Sequence, residues 1–175
     1  MKTKLIPALL ATALAALVAA GVAAAHVKLD PFKAPTGSDT RFAVVVPSED
    51  PKSPTVKITV KIPSAIVAAS FEAKPGWKRT VTIETPAKPI VMDGATVKSR
   101  ISSVTWTATA GGIAPGDYGT FGILVSVPGK AGSKLVWPTV QTYANGTTAR
   151  WIGPPDADQP APVVTVMPTD PAAGA

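Results

Sequence analysis

From residue 26 onward, hydrophobic and polar positions alternate with a period of two, the pattern of half-buried β-strands. Segments 56–62 and 120–127 alternate without a break, and each places four large apolar residues on one face. The apolar run in 41–46 predicts a more fully buried strand, while 80–84 and 104–107 alternate over shorter lengths. The predicted inward positions are Val56, Ile58, Val60 and Ile62 in the first segment, and Phe121, Ile123, Val125 and Val127 in the second.

Proline and glycine punctuate these strands at intervals on the order of ten residues, a spacing typical of antiparallel sandwiches. The pair Asn145-Gly146 favours a tight hairpin between segments 140–143 and 147–151. No helical period extends through this part of the chain, apart from a single helical turn suggested near 64–69. The pattern therefore predicts an all-β protein, a single antiparallel β-sandwich of immunoglobulin- or cupredoxin-like form.

Residues 1–25 have the features of a cleaved secretory signal. Lys2 and Lys4 precede an apolar run over 5–20, and small residues lead to Ala25. A membrane helix is the alternative, since the run approaches the roughly 18–20 residues that spanning requires, but it lacks a charged stop-transfer flank. We expect cleavage after Ala25, which would give a periplasmic or secreted protein without a membrane anchor.

The remaining 150 residues suit one domain. We expect the β-sandwich to occupy 26–153. Segment 154–175 is rich in proline and alanine. It predicts a final edge strand at 162–167, followed by a disordered tail.

Charge and cysteine content remove several classes of function. Without Lys2 and Lys4, 15 of the 17 Lys and Arg residues remain against 11 Asp and Glu, a net charge of +4. These cations are scattered along the sequence, whereas nucleic-acid-binding proteins usually cluster them, so no nucleic-acid partner is expected. The absence of cysteine excludes disulfides, thiolate metal sites and a cysteine nucleophile.

His26 is the only histidine in the chain. A lone internal histidine is usually structural, but cleavage after Ala25 would make His26 the first residue of the mature protein. Its α-amine and ring Nδ1 would then close a six-membered chelate on a metal ion. Their ordinary pKa values, about 7.7–8.0 and 6.5, allow both to lose protons near neutral pH. Such a nitrogen-rich site favours Cu(II).

A carboxylate and water would complete this coordination. Candidates are Glu49, Glu72, Glu84 and the aspartates. Glu49 has a physical argument, because it follows Pro47 and Ser48 at the end of the predicted buried strand. A loop there can bring it against the terminus of another strand.

Catalytic alternatives find little support in the residues. A Ser-His-Asp relay would need His26 as its base at a flexible terminus, and no spacing selects Glu72 and Glu84 as an acid pair. A copper oxygenase with a two-histidine brace needs a second imidazole, which this chain lacks. We therefore expect no enzyme. A cell-envelope β-sandwich module without metal remains the alternative to copper binding.

Several short segments, in order, resemble the YcnI-like copper-binding family of secreted bacterial proteins. They are Ala25-His-Val27, Pro35-Thr-Gly-Ser38, Val46-Pro-Ser-Glu49, Pro75-Gly-Trp77, Val104-Thr-Trp106, Gly111-Gly-Ile113, Gln141-Thr-Tyr143 and Arg150-Trp151. Together they span nearly all of 25–153, and the segment after Gly153 carries little of the likeness.

The resemblance implies a monohistidine brace for Cu(II). His26 would supply the amine and Nδ1, Glu49 would be a ligand, and a tryptophan would lie close to the metal, with Trp151 the best match. The other candidates for this tryptophan are Trp77, Trp106 and Trp137. A neutral indole nitrogen only donates hydrogen bonds, so its role would be to cap the site, exclude solvent and limit redox cycling.

The resemblance also implies a role in copper trafficking or sequestration outside the cytoplasm. The partners would be the copper ion and copper-handling proteins of the envelope or membrane.

Overall fold

The structure, a computed structural model, describes residues 26–92 and 94–169. The predicted signal, 1–25, and the end of the predicted tail, 170–175, lie outside these residues. Within them the regular structure is entirely β, and no helix capable of spanning a membrane is present. The strands are β1 (Lys28–Asp30), β2 (Lys33–Pro35), β3 (Asp39–Pro47), β4 (Thr55–Lys61), β5 (Ser70–Phe71), β6 (Trp77–Glu84), β7 (Ile90–Met92), β8 (Ala95–Val97), β9 (Arg100–Ala108), β10 (Tyr118–Ser126), β11 (Lys134–Val136), β12 (Thr139–Tyr143), β13 (Thr148–Trp151) and β14 (Val163–Met167).

Two antiparallel sheets form the sandwich. One has the strand order β1-β3-β10-β5 and the other β13-β12-β4-β9-β6. The five segments predicted as strands from alternation lie in β3, β4, β6, β9 and β10. The all-β sandwich prediction is therefore confirmed at the level of class and of its main strands.

Aromatic side chains join the two sheets across the core. Trp106 and Trp77 of the five-stranded sheet lie 5.0 and 4.9 Å from Phe121 of the opposite sheet, measured between ring centroids. Phe42 lies 5.8 Å from Trp137 in the same way. Large aromatic residues bury about 150–250 Å² each, and this packing sets the spacing of the layers in which the candidate site is built.

The predicted inward positions are buried with one exception, Val56, which is only half-buried. A β-bulge explains the difference. The pairing of β4 with β12 passes from Lys57–Thr142 to Thr55–Tyr143 and leaves Val56 without a partner. An extra residue in one strand reverses the inward and outward alternation beyond it. Thr55, fully buried, therefore takes the inward position.

The predicted hairpin at Asn145-Gly146 is confirmed. Strands β12 and β13 pair antiparallel on either side of it, and Gly146 has a φ of +86°. A left-handed backbone of this kind costs glycine little. The hairpin brings Trp151 back beside the start of β12, where Thr139 is its pairing partner.

The last strand is not at a sheet edge as predicted. β14 lies between β11 and β2 in a three-stranded sheet, and its pairing with β2 is parallel. Its inward residues Val164 and Val166 are fully buried and belong to the same hydrophobic core as the two main sheets. β14 thus packs in the same core as the strands before residue 153.

Candidate functional site

Sheet pairing brings the two predicted ligand residues to the same end of the molecule. The antiparallel register of β1 and β3 joins Lys28 to Val45. Two further steps in this register place His26 opposite Pro47. Glu49 follows two residues later, just beyond the end of β3. Strand register thus places the loop that carries Glu49 at the end of β3 next to which the segment before β1 begins.

Trp151 is the tryptophan that contacts His26. Their ring centroids are 5.4 Å apart, with the planes inclined at 65° in an edge-to-face arrangement. Trp151 is 1% exposed, whereas His26 is exposed. The imidazole therefore rests on the rim of the core, with one side against an indole that solvent does not reach.

Glu49 carries an unsatisfied polar atom. Its Oε1 is buried and has no hydrogen-bond partner among the described residues. A buried carboxylate oxygen without a partner costs on the order of 1–3 kcal/mol or more, and a nearby cation or proton donor offsets this cost. Glu49 is thus a carboxylate with one buried oxygen that the described residues leave without a donor.

The electrostatic effect of Glu49 reaches Tyr143 in β12. Burial raises the pKa of the Tyr143 phenol above its ordinary value of 10.0, and the negative charges of Glu49 and then Asp50 raise it further. Hydrogen bonding with the backbone of the same two residues acts in the opposite direction. The loop that begins at Glu49 therefore packs directly against β12.

A buried hydrogen-bond chain connects Trp151 to the end of β3. The indole Nε1 donates to Gln141 Oε1 at 3.1 Å, and Gln141 Nε2 donates to the Pro47 carbonyl at 2.8 Å. The same Nε2 donates to Thr55 Oγ1 at 2.6 Å. In the sequence, Gln141 stands out only as part of the segment Gln141-Thr-Tyr143. A polar residue at an inward position of the predicted strand 140–143 is the signal that would have singled it out.

The other two glutamates are placed away from His26. Glu72 follows β5, at the opposite edge of its sheet from β1, and its carboxylate pairs with Arg41 at 2.8 Å. Glu84 ends β6, at the opposite edge of the other sheet from β13, and it pairs with Arg100 at 2.6 Å. Each carboxylate is thus already engaged with an arginine.

An open cavity of about 1070 Å³ adjoins the site. His26 and Pro47 line it together with two aspartates, Asp30 and Asp117, and the exposed ring of Tyr118. Among residues 26–92 and 94–169, no three His, Asp or Glu side chains gather at metal-binding distance.

The remaining tryptophans belong to other surroundings. Trp137 is fully buried beside Phe42, and Trp106 and Trp77 pack on Phe121. They serve as core aromatics between the two sheets. The structure thus distinguishes among the four tryptophans that the sequence left open, and Trp151 is the one placed against the histidine.

Comparison with known proteins agrees with this architecture. Residues 26–166 match the family described as Domain of unknown function (DUF1775). The chain is 33% identical over 144 residues to the copper-binding protein CutI of Bacillus subtilis (strain 168), covering 82% of this chain and 63% of that relative. It thus spans less than two thirds of the relative's length. An uncharacterized protein from Nocardia farcinica, solved by crystallography and described as having an immunoglobulin-like fold, is 29% identical with a TM-score of 0.64. That match covers 81% of this chain and 98% of the other.

Proposed function

Since the chain belongs to the YcnI-like family described as Domain of unknown function (DUF1775), we propose that it binds a single Cu(II) ion at His26. The observation that carries the proposal is the surroundings of the only histidine. Its ring lies against the buried Trp151, and the adjoining loop presents Glu49 with an unpartnered carboxylate oxygen. The copper-binding name of the Bacillus subtilis relative supports the choice of metal.

The donors present fit Cu(II). After cleavage following Ala25, His26 offers its α-amine and Nδ1, and Glu49 adds an oxygen. Two nitrogens and a carboxylate suit the tetragonal N,O coordination that Cu(II) prefers, and Cu(II) heads the affinity order of the divalent ions. Bound copper would neutralise the charge of Glu49, whose Oε1 has no hydrogen-bond donor among the described residues.

Trp151 shields one side of this site. Its only donor, the Nε1 hydrogen, is used by Gln141, so the part of the indole facing His26 is apolar. An apolar wall excludes water from that side of the imidazole and lowers the local dielectric, which strengthens the interaction of a cation with Glu49. We infer that Trp151 caps the metal without ligating it.

The function we infer is copper binding rather than catalysis, in trafficking or sequestration outside the cytoplasm. Secretion would provide the free amine that the brace requires. The cavity beside His26 leaves the site open to solvent. An open site can exchange its metal with copper-handling proteins of the envelope or membrane through a shared intermediate.

A Cu(II) titration followed by electron paramagnetic resonance tests the proposal. The full chain would be expressed with its own signal, and the mature start at His26 would be verified by mass spectrometry. We expect one tight equivalent of copper with nitrogen hyperfine structure. A chain with one glycine inserted between Ala25 and His26 should lose or alter this signal, because its amine no longer closes a six-membered chelate.

A second variant, Glu49→Gln, tests the carboxylate. It removes the negative charge at nearly unchanged volume, and we expect weaker binding and a changed spectrum. Glu72→Gln is the matched control, since Glu72 already pairs with Arg41, and it should behave like the parent. Equally weak binding by the parent and the glycine-extended chain would refute the metal site and favour an envelope module without metal.

A further inference from the structure

We propose that Gln141 is a positioning residue that holds the cap and the ligand-bearing loop of the site in one rigid unit. The proposal rests on the copper site proposed above, whose cap is Trp151 and whose carboxylate is Glu49. Gln141 is not one of the proposed ligands. It acts through the hydrogen bonds that tie Trp151 to Pro47.

The orientation of the Gln141 amide follows from its partners. Trp151 Nε1 can only donate, so the atom facing it at 3.1 Å must be the amide oxygen. The amide nitrogen then faces two acceptors, the Pro47 carbonyl and Thr55 Oγ1. Gln141 is fully buried. Its oxygen and both its amide hydrogens thus have partners, which is the arrangement expected of a buried polar group that specifies one structure.

Thr55 extends this unit to the residue before Glu49. Its hydroxyl lies 3.0 Å from Ser48 Oγ, and both side chains are buried. The bulge at Val56 is what turns Thr55 inward to meet Gln141. A local irregularity of β4 thereby supplies a hydroxyl at the one place where the network requires it.

The backbone of Ser48 is held from the other side by the loop before β10. Its N–H donates to the Asp117 carbonyl at 2.9 Å, and its carbonyl accepts from the Gly116 N–H at 3.0 Å. With Pro47 bound by Gln141, the two residues that precede Glu49 have little freedom. The cost of ordering the Glu49 loop is thus met during folding rather than on metal binding.

Replacement of Gln141 by an apolar side chain should therefore change the site at two points. The indole N–H of Trp151 and the Pro47 carbonyl would both lose a buried partner. Residues that orient metal ligands from behind typically change metal affinity by about 10- to 100-fold when mutated. We expect a loss of copper affinity of that size for Gln141→Met, because methionine has about the length of the glutamine side chain.

The matched control is Thr139→Val. Thr139 is also fully buried in β12, two residues away, and it donates its hydroxyl hydrogen to the Trp137 carbonyl at 3.0 Å. Thr139→Val likewise removes a buried hydrogen bond, but one that involves neither Trp151 nor Pro47. A general weakening of the strand would appear in both variants, whereas a positioning role would appear only in Gln141→Met.

Two readouts separate this proposal from the copper proposal. In the metal-free protein, the Trp151 indole N–H resonance should shift and exchange faster with solvent in Gln141→Met than in the parent or in Thr139→Val. With copper, Gln141→Met should show changed electron paramagnetic resonance parameters and weaker binding. If the parent binds no copper while the indole result holds, the copper proposal fails and the hydrogen-bonded unit stands.

Unchanged indole and copper signals in Gln141→Met would overturn the positioning role, as would equal changes in Thr139→Val. If the Gln141→Met variant does not fold, hydrogen exchange in the parent protein still tests the positioning role. The Gln141 side-chain amide hydrogens and the Trp151 indole hydrogen must then exchange slowly in the metal-free state. Rapid exchange of these hydrogens would overturn the proposal.

Discussion

Glu49 carries its charge at a place where the described residues give its Oε1 no hydrogen-bond donor. The Glu49 carboxylate also affects Tyr143, whose pKa is raised mainly by burial and further by this negative charge. At the scale of single residues, the site thus combines an unsatisfied anion with a phenol that resists ionisation. A bound cation would relieve the first and lower the repulsion on the second.

Tyr143 should make the protein less stable at alkaline pH. Because its folded pKa lies above the ordinary value of 10.0, the folded state keeps the phenol proton at pH values where the unfolded chain loses it. The titration of Tyr143 therefore leaves the free energy of unfolding unchanged below about pH 10 and lowers it as the pH rises above 10. Tyr143→Phe should lessen this fall, measured by urea denaturation between about pH 8 and 11.

Tyr118→Phe is the control for this experiment, since its phenol is 69% exposed. Equal changes in the alkaline stability of the two variants would contradict a specific effect of the Tyr143 environment.

At the scale of elements, the start of β4 is an irregular part of the sandwich. The bulge at Val56 turns Thr55 inward, and Thr55 also exchanges backbone hydrogen bonds of 2.9 Å with Ile113. The turn at Gly111-Gly112 approaches the Thr55 backbone closely. A Cβ added to Gly112 would meet the Thr55 carbonyl oxygen, whereas one added to Gly111 would enter open space.

These two glycines predict a graded loss of stability. Both have positive φ, +62° for Gly111 and +82° for Gly112, so alanine at either position strains the backbone by about 1–2 kcal/mol. Gly112→Ala adds a collision with Thr55, expected to cost a further ~1–3 kcal/mol. Chemical denaturation of the two variants measures the difference. Equal losses would show that the contact with Thr55 imposes no constraint.

At the scale of the whole molecule, the sandwich is closed by its last strand. β14 pairs with β11 and β2, and its inward valines complete the core. Because β2 lies between β1 and β3 in the chain, β14 also stabilises the segment that follows His26. A strand near the end of the sequence, β14, therefore helps to hold the segment that carries His26.

A stop codon after Gly153 should prevent stable folding, while one after Thr169 should leave the thermal unfolding midpoint near that of the full chain. The first removes the fully buried Val164 and Val166 together with the pairing of β11 and β2. Domains are stable by a margin of about 5–15 kcal/mol. The loss of two core valines, the exposure of their neighbours and the loss of the sheet pairing together exceed this margin. Cooperative unfolding of the shorter chain near the parent midpoint would contradict this expectation.

The periodic pattern of the sequence by itself determined the β class, the main strands and the hairpin at Asn145-Gly146. These depend on local alternation and on turn chemistry, which short stretches of sequence encode. Composition singled out His26 as the only imidazole, and the predicted strand end singled out Glu49 as a carboxylate. Both signals are local, because they need only the composition and the neighbouring residues.

Tertiary structure alone decided that Thr55 rather than Val56 faces inward and that the last strand lies inside a sheet, and it placed Trp151, the best match in the sequence, against His26. Each depends on pairing between segments far apart in the chain, and the register of such pairing is not written in either segment alone. The same holds for Gln141. Its inward position is visible in the alternation, but its partners Trp151 and Pro47 become neighbours only when the two sheets close over the core.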